Sequence, residues 1–75
     1  MNKAFILLNT EVGLEKDVYE EIATYSCIKE IYRVYGVYDI IFQIEEQNLE
    51  QLKHTISHKI RSIQGIRATS TLIIL

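Results

Sequence analysis

Three small groups of residues in this 75-residue chain have side chains and spacings that could do chemistry. The first is Asp39, in Tyr35-Gly36-Val37-Tyr38-Asp39, immediately before the apolar run Ile40-Ile41-Phe42-Gln43-Ile44. Asp is depleted in strands, and a carboxylate beside an apolar run needs water, a partner or a ligand. Gly36 reads as a tight hairpin turn, because glycine reaches φ > 0 without steric cost. The second group is Thr69 and Thr71, which interrupt an apolar strand. Two positions apart, they share one face and could offer two hydroxyls to one ligand. Threonine also favours strands for steric reasons alone. The third is His54 and His58, spaced as two metal ligands on one helix face would be. Both fall opposite the apolar stripe of that helix, and no Cys or carboxylate completes a set, so a solvated helix face is expected.

Other residues point away from catalysis. Cys27 has no flanking His or Asp and does not open a helix, so nothing lowers its pKa, and a structural thiol is expected. Tyr32, Tyr35 and Tyr38 gather around the hairpin, where a large apolar body with a polar tip suits an interface. No Ser/His/Asp set, phosphate loop or acid/base pair stands out.

The elements that must position these residues follow from periodicity. Lys3 to Thr10 reads as a strand, and Glu11-Val12-Gly13 as a turn. Leu14 to Tyr25 reads as a helix with Leu14, Val18, Ile22 and Tyr25 on one face, and with Glu15 and Asp17 complementing the dipole of its first turn. Ile28 to Tyr35 and Tyr38 to Glu45 read as the second and third strands, the latter with Tyr38, Ile40, Phe42 and Ile44 on one face. A second helix is expected from about Asn48 to Ile63, with Asn48 as N-cap, Gln51 three residues on, and Gly65 as C′ residue. Its buried stripe is Leu49, Leu52, Ile56, Ile60 and Ile63. Ile66 to Leu75 reads as the last strand. The order β-α-β-β-α-β, with right-handed crossovers, gives a ferredoxin-like α+β fold: two helices on one face of a four-stranded antiparallel sheet.

Composition limits the partners. Net charge is −2, and the eight basic residues are scattered, so direct nucleic-acid binding is not expected. The apolar runs Ala4 to Leu8 and Leu72 to Leu75 are too short to span a bilayer, so a cytoplasmic protein without a membrane partner is expected. A single cysteine fits a reducing compartment and rules out an internal disulfide. No cofactor or metal is expected. A 75-residue domain has a small core and needs further support, for which oligomerisation is the ordinary route.

The strands also supply a surface for it. Ala4, Ile6 and Leu8 oppose Phe5 and Leu7; Ile41 opposes Ile40 and Phe42; Ala68, Leu72 and Ile74 oppose Ile73 and Leu75. Two helices cover one face, which leaves an apolar face open, and a second copy packing sheet to sheet would close it.

Three segments together resemble the ligand-binding RAM domain of the Lrp/AsnC transcription regulators: Ile6-Leu7-Leu8-Asn9-Thr10-Glu11-Val12-Gly13, the hairpin Tyr35 to Asp39, and Ile63-Gln64-Gly65-Ile66-Arg67-Ala68-Thr69-Ser70-Thr71-Leu72. The resemblance covers nearly the whole chain as one domain, residues 1–75. It implies two-fold dimers, often joined as rings of four dimers (an octamer), with amino acids bound near the hairpin glycine and aspartate. Carried over, Gly36, Tyr38 and Asp39 match the hairpin part of that site, and Thr69 and Thr71 the last-strand part. In that setting Asp39 could pair with a ligand ammonium, and backbone N–H groups near Gly36 or the threonine hydroxyls could hold the carboxylate. A turn-capping Asp39 is the other reading.

Family regulators typically carry an N-terminal helix-turn-helix, whereas Met1-Asn2-Lys3 leads straight into the first strand. The expectation is a stand-alone sensing and oligomerisation module for an amino acid or similar small effector. It would act on transcription or metabolism through a partner such as a full-length Lrp/AsnC regulator. A small dimeric α+β barrel enzyme and an ACT-like regulatory module of a metabolic enzyme are the alternatives.

Overall fold

The computed structural model describes residues 2–75. In chain order it contains strand β1 (Asn2–Thr10), helix α1 (Glu15–Ala23), strands β2 (Ile28–Arg33) and β3 (Ile40–Glu46), helix α2 (Leu49–His54), a π-helical segment (Thr55–Ile60) and strand β4 (Ile66–Ile74). The sheet order is β2-β3-β1-β4, and every pairing is antiparallel. This is the expected β-α-β-β-α-β arrangement. The two non-adjacent crossovers place β1 in the centre and leave β2 and β4 as edges.

Register fixes the faces, because side chains of directly paired residues point the same way. Ala4, Ile6 and Leu8 pair with Ile44, Phe42 and Ile40 on one side and with Ile73, Thr71 and Thr69 on the other. This face meets Val18 and Ile22 of α1, Leu52 of α2, and Ile56 and Ile60 of the π segment in one buried core. The opposite face carries Phe5, Leu7, Tyr32, Ile41, Leu72 and Ile74. No helix among the described residues covers it: Tyr32 and Leu72 remain more than half exposed. Alternation along β1 thus divides one apolar strand into a core half and an open half.

Local chemistry marks two helix starts. Asn48 caps α2, its Oδ1 accepting from the Gln51 backbone N–H at 2.8 Å. Glu15 and Asp17 lie in the first turn of α1, and the Glu15 carboxylate also accepts the Gly13 N–H at 2.9 Å. Gly13 takes a φ of 88°, as the turn before α1 requires.

Four expectations need correction. β2 ends at Arg33 rather than Tyr35, and β3 starts at Ile40, so Tyr38 lies in the connection and not on the strand face. The connection therefore spans residues 34–39, and Gly36 lies outside the positive-φ region. A loop of that length turns the chain without a left-handed residue, which a two-residue hairpin would demand. The second helix is not α-helical to Ile63; its regular part stops at His54 and a wider π turn carries it to Ile60. Gly65 does have a φ of 97°, but it stands well beyond the end of the π segment and opens β4 rather than capping a helix. A Cβ there would lie 3.0 Å from Val18 Cγ2 and 3.2 Å from Leu14 Cδ1, so Gly65 allows the β4 entry to press on α1.

Candidate functional site

The hairpin connection is anchored at its base and bare at its tip. Tyr35 and Val37 are almost fully exposed. Three side chains hold the loop down. Asn9 Nδ2 donates to the Val37 carbonyl at 2.7 Å, and the Tyr38 hydroxyl and Ser70 Oγ share a hydrogen bond of 2.9 Å. Asp39 makes the third link: its Oδ2 accepts the Thr10 backbone N–H at 2.9 Å and the Thr10 hydroxyl at 3.3 Å. The backbone of Asp39 joins in as well, donating to the Leu8 carbonyl at 2.9 Å and accepting from Val34 N–H at 2.8 Å.

These contacts account for the charge state of Asp39. The Thr10 N–H, assisted by the Thr10 hydroxyl, the Asn9 amide and the more distant Arg67 charge, holds its carboxyl below the usual carboxylate range, against a smaller opposing effect of partial burial. Asp39 is thus ionised and already committed, through one oxygen, to ending β1. Within the chain this oxygen closes the end of β1 and does not cap the loop that carries it.

Gly36 is different. Its φ needs no glycine, and a Cβ built on it meets nothing within 4 Å. Neither backbone conformation nor packing inside the chain accounts for a bare residue at this position.

Thr69 and Thr71 sit on the helix-covered face of edge strand β4, opposite Leu8 and Ile6. From strand spacing, Asp39 and Thr71 of one chain are ~14 Å apart, too far to hold one small ligand between them, although Tyr38 of the loop reaches Ser70 between the two threonines. Thr71 Oγ1 is buried with no hydrogen-bond partner among the described residues. It lines a cavity of about 290 Å³ with Lys53, Ile56, Ser57, Arg61 and Ile73. Lys53, Ser57 and Arg61 carry no motif, but their spacing of four is a signal that the sequence offered. Asn9, Thr10 and Ser70, which fasten the loop, gave none, because their roles depend on strand register.

The remaining candidates stay apart. His54 and His58 are both exposed with ring centroids 4.4 Å apart, and no cluster of three or more metal-binding side chains occurs among the described residues. Burial pushes the Cys27 thiol up, which makes it a poor nucleophile at neutral pH. No helix among the described residues is long and apolar enough to cross a membrane.

Comparison with known proteins gives one consistent result. Residues 3–75 match the family model described as the Lrp/AsnC ligand binding domain. The HTH-type transcriptional regulator FL11 of Pyrococcus horikoshii is 36% identical over 72 residues, covering 96% of this chain and 47% of FL11. The crystal structure of FFRP-DM1 superposes with a TM-score of 0.96 at 41% identity, each chain fully covered. A Neisseria meningitidis transcriptional regulator, solved as a complex with L-Met, shares the fold at 14% identity, with a TM-score of 0.87 over 99% of this chain and 49% of its own. The chain spans about half the length of the curated relatives it matches.

Proposed function

This chain belongs to the Lrp/AsnC ligand-binding-domain family, and on that premise we propose that it is a single effector-sensing and oligomerisation module that binds an amino acid or a similar small metabolite. A regulatory, non-enzymatic role agrees with relatives named as transcriptional regulators. The observation that carries the reading is Gly36. A glycine that its own chain does not require, at the exposed tip of a loop fastened by Asn9, Tyr38 and Asp39, leaves room for something outside the protomer to approach the backbone.

In this reading the loop offers backbone N–H groups to a ligand carboxylate. Asp39 offers its second oxygen to an ammonium, while Oδ2 stays with Thr10. The second protomer comes from the open sheet face, where Phe5, Leu7, Ile41 and Leu72 form an apolar surface that a two-fold copy would bury. The distance between Asp39 and Thr71 within one protomer favours a site completed by another copy, either in a dimer or in a ring of dimers. Ligand binding then shifts assembly, since a ligand moves an equilibrium only by preferring one state. The partner through which the module acts is a full-length member of the same family, co-assembled through the same open face, in the cytoplasm.

Mass measurement in solution with and without a panel of the common amino acids tests assembly and binding together. The expected result is a dimer or larger species whose mass or thermal midpoint shifts saturably with at least one amino acid. A monomer indifferent to the whole panel would defeat the proposal. An ACT-like role would show instead as capture of a metabolic enzyme.

A further inference from the structure

The second helical segment changes geometry at a pair of histidines. His54 is the last residue of α2 and His58 lies inside the π segment, so the pair straddles the junction between them. Both are exposed, and their ring centroids stand 4.4 Å apart at a tilt of 40°. With Thr55 and Lys59 they line a cavity of about 260 Å³. It adjoins the end of β3, to which Thr55 is bonded through Glu46.

Two histidines four positions apart share one side of a helix and can ligate a single metal ion. A ring nitrogen binds such an ion at about 2.1 Å, which puts the ring centre about 3.2 Å from the metal. Two rings on one metal then have centroids about 4.5 Å apart when the bonds meet at a right angle, and about 5.2 Å apart at the tetrahedral angle. The observed 4.4 Å falls at the right-angled value. Exposed side chains turn about their own bonds rapidly, so the two nitrogens can meet at a common point while the backbone stays in place.

The surroundings favour one class of metal. Thr55, between the histidines, is buried, and its hydroxyl is spent on Glu46 Oε2 at 2.7 Å, which ties the backbone under the pair to the sheet. Lys59 Nζ lies over the Tyr25 ring, 4.9 Å from its centroid, and so is engaged with another part of the chain. No acid and no thiol line the cavity. Two imidazole nitrogens without an anionic oxygen suit a borderline transition metal, whereas magnesium and calcium require oxygen ligands. Nitrogen donors at right angles suit Cu(II) or Ni(II) in particular.

We propose that His54 and His58 form a two-residue chelate for Ni(II) or Cu(II), with water in the remaining coordination positions. Sequence alone points to a solvated face because no third ligand stands near, but a chelate completed by water needs none. The bound metal staples the end of α2 to the π segment. It stabilises the folded chain because the unfolded chain does not hold the two rings together. The assignment is independent of the effector reading.

The test is calorimetry and thermal melting of the intact protein with NiCl2, with CuCl2, and with MgCl2 as the hard-cation control. The expected result is saturable binding of one Ni(II) per chain and a raised thermal midpoint that EDTA reverses, with no response to Mg(II). Cu(II) should bind more tightly than Ni(II). His54→Gln and His58→Gln, both at exposed positions, should melt like the parent without metal, yet each should weaken Ni(II) binding at least tenfold and remove the rise in midpoint. Cys27→Ser should leave Ni(II) binding unchanged. Loss of binding in Cys27→Ser would move the metal to the thiol and overturn the assignment. Two Ni(II) per chain, with one lost in each histidine variant, would mean that the rings act separately, which overturns the chelate. Undiminished affinity in either histidine variant, or no binding of Ni(II) and Cu(II) to the parent, also overturns it.

Discussion

Asp39 and Thr10, distant in sequence, are joined twice through one carboxylate oxygen: the Thr10 backbone N–H donates to Asp39 Oδ2 at 2.9 Å and the Thr10 hydroxyl at 3.3 Å. The pair ties the end of β1 to the mouth of β3.

The first prediction concerns acid. The folded carboxyl of Asp39 lies below its usual range, chiefly because of the Thr10 N–H. A depressed carboxyl stabilises the fold fully above the unfolded value of about 3.9 and loses that contribution as pH falls through the lower folded value. Asp39→Asn should therefore melt earlier than the parent at neutral pH, with the gap closing below that range. Thermal melts across pH, with both proteins in parallel, check this; a gap independent of pH would remove the ionic part of the argument.

Two glycines should respond in opposite ways to the same substitution. Gly36→Ala meets no atom and no forbidden φ, so stability should hold or rise by about 0.4–1 kcal/mol through the unfolded chain. Gly65→Ala places a methyl 3.0 Å from Val18 Cγ2 at a φ of 97°, and should cost about 1–3 kcal/mol. Denaturant titrations decide the pair. If Gly36→Ala also abolishes effector binding while remaining fully folded, the bare tip serves the ligand.

Thr55 couples the start of the π turn to the sheet. Its hydroxyl donates to Glu46 Oε2 at 2.7 Å, and the residue is only 7% exposed. Thr55→Val keeps the volume but removes the donor, with an expected loss of about 1–2 kcal/mol. Chemical denaturation measures it. A neutral result would show that Glu46 turns to water at no cost.

The open face gives a prediction about size. Leu72→Glu puts a charge on a residue that is 58% exposed in the protomer, opposite Phe5, so it should leave the protomer's secondary structure intact. In the proposed dimer the same charge would be buried and unpaired. Sedimentation should show a shift to monomer, and the melting midpoint should lose its dependence on protein concentration. A dimer that survives the change must use another surface.

How far these features were legible depended on distance along the chain. Element order and core faces follow from local periodicity, as with Ala4, Ile6 and Leu8 alternating against Phe5 and Leu7. The Asn48 cap is local too, and it forms. At Gly36, a glycine between two strand-like runs fits a two-residue turn equally well; only the strand ends at Arg33 and Ile40 distinguish a longer loop. The π turn depends on how Ile56 and Ile60 seat over the sheet, and helical periodicity alone does not register one extra residue in a turn. Thr71 was readable as a hydroxyl on a shared face, but its unpartnered burial arises only once the helical layer lies over the edge strand.

Lys3 pairs with Ile74, so the first and last strands begin and end side by side. The hairpin meets β1 at its far end, beside Leu8 and Thr10. The molecule therefore has two poles, separated by the length of β1, roughly 27 Å. One pole carries the loop; the other carries both chain ends. Any segment joined at either end is placed at the same pole, away from the loop. A circular permutant closed across the ends by a short linker should keep the loop pole undisturbed.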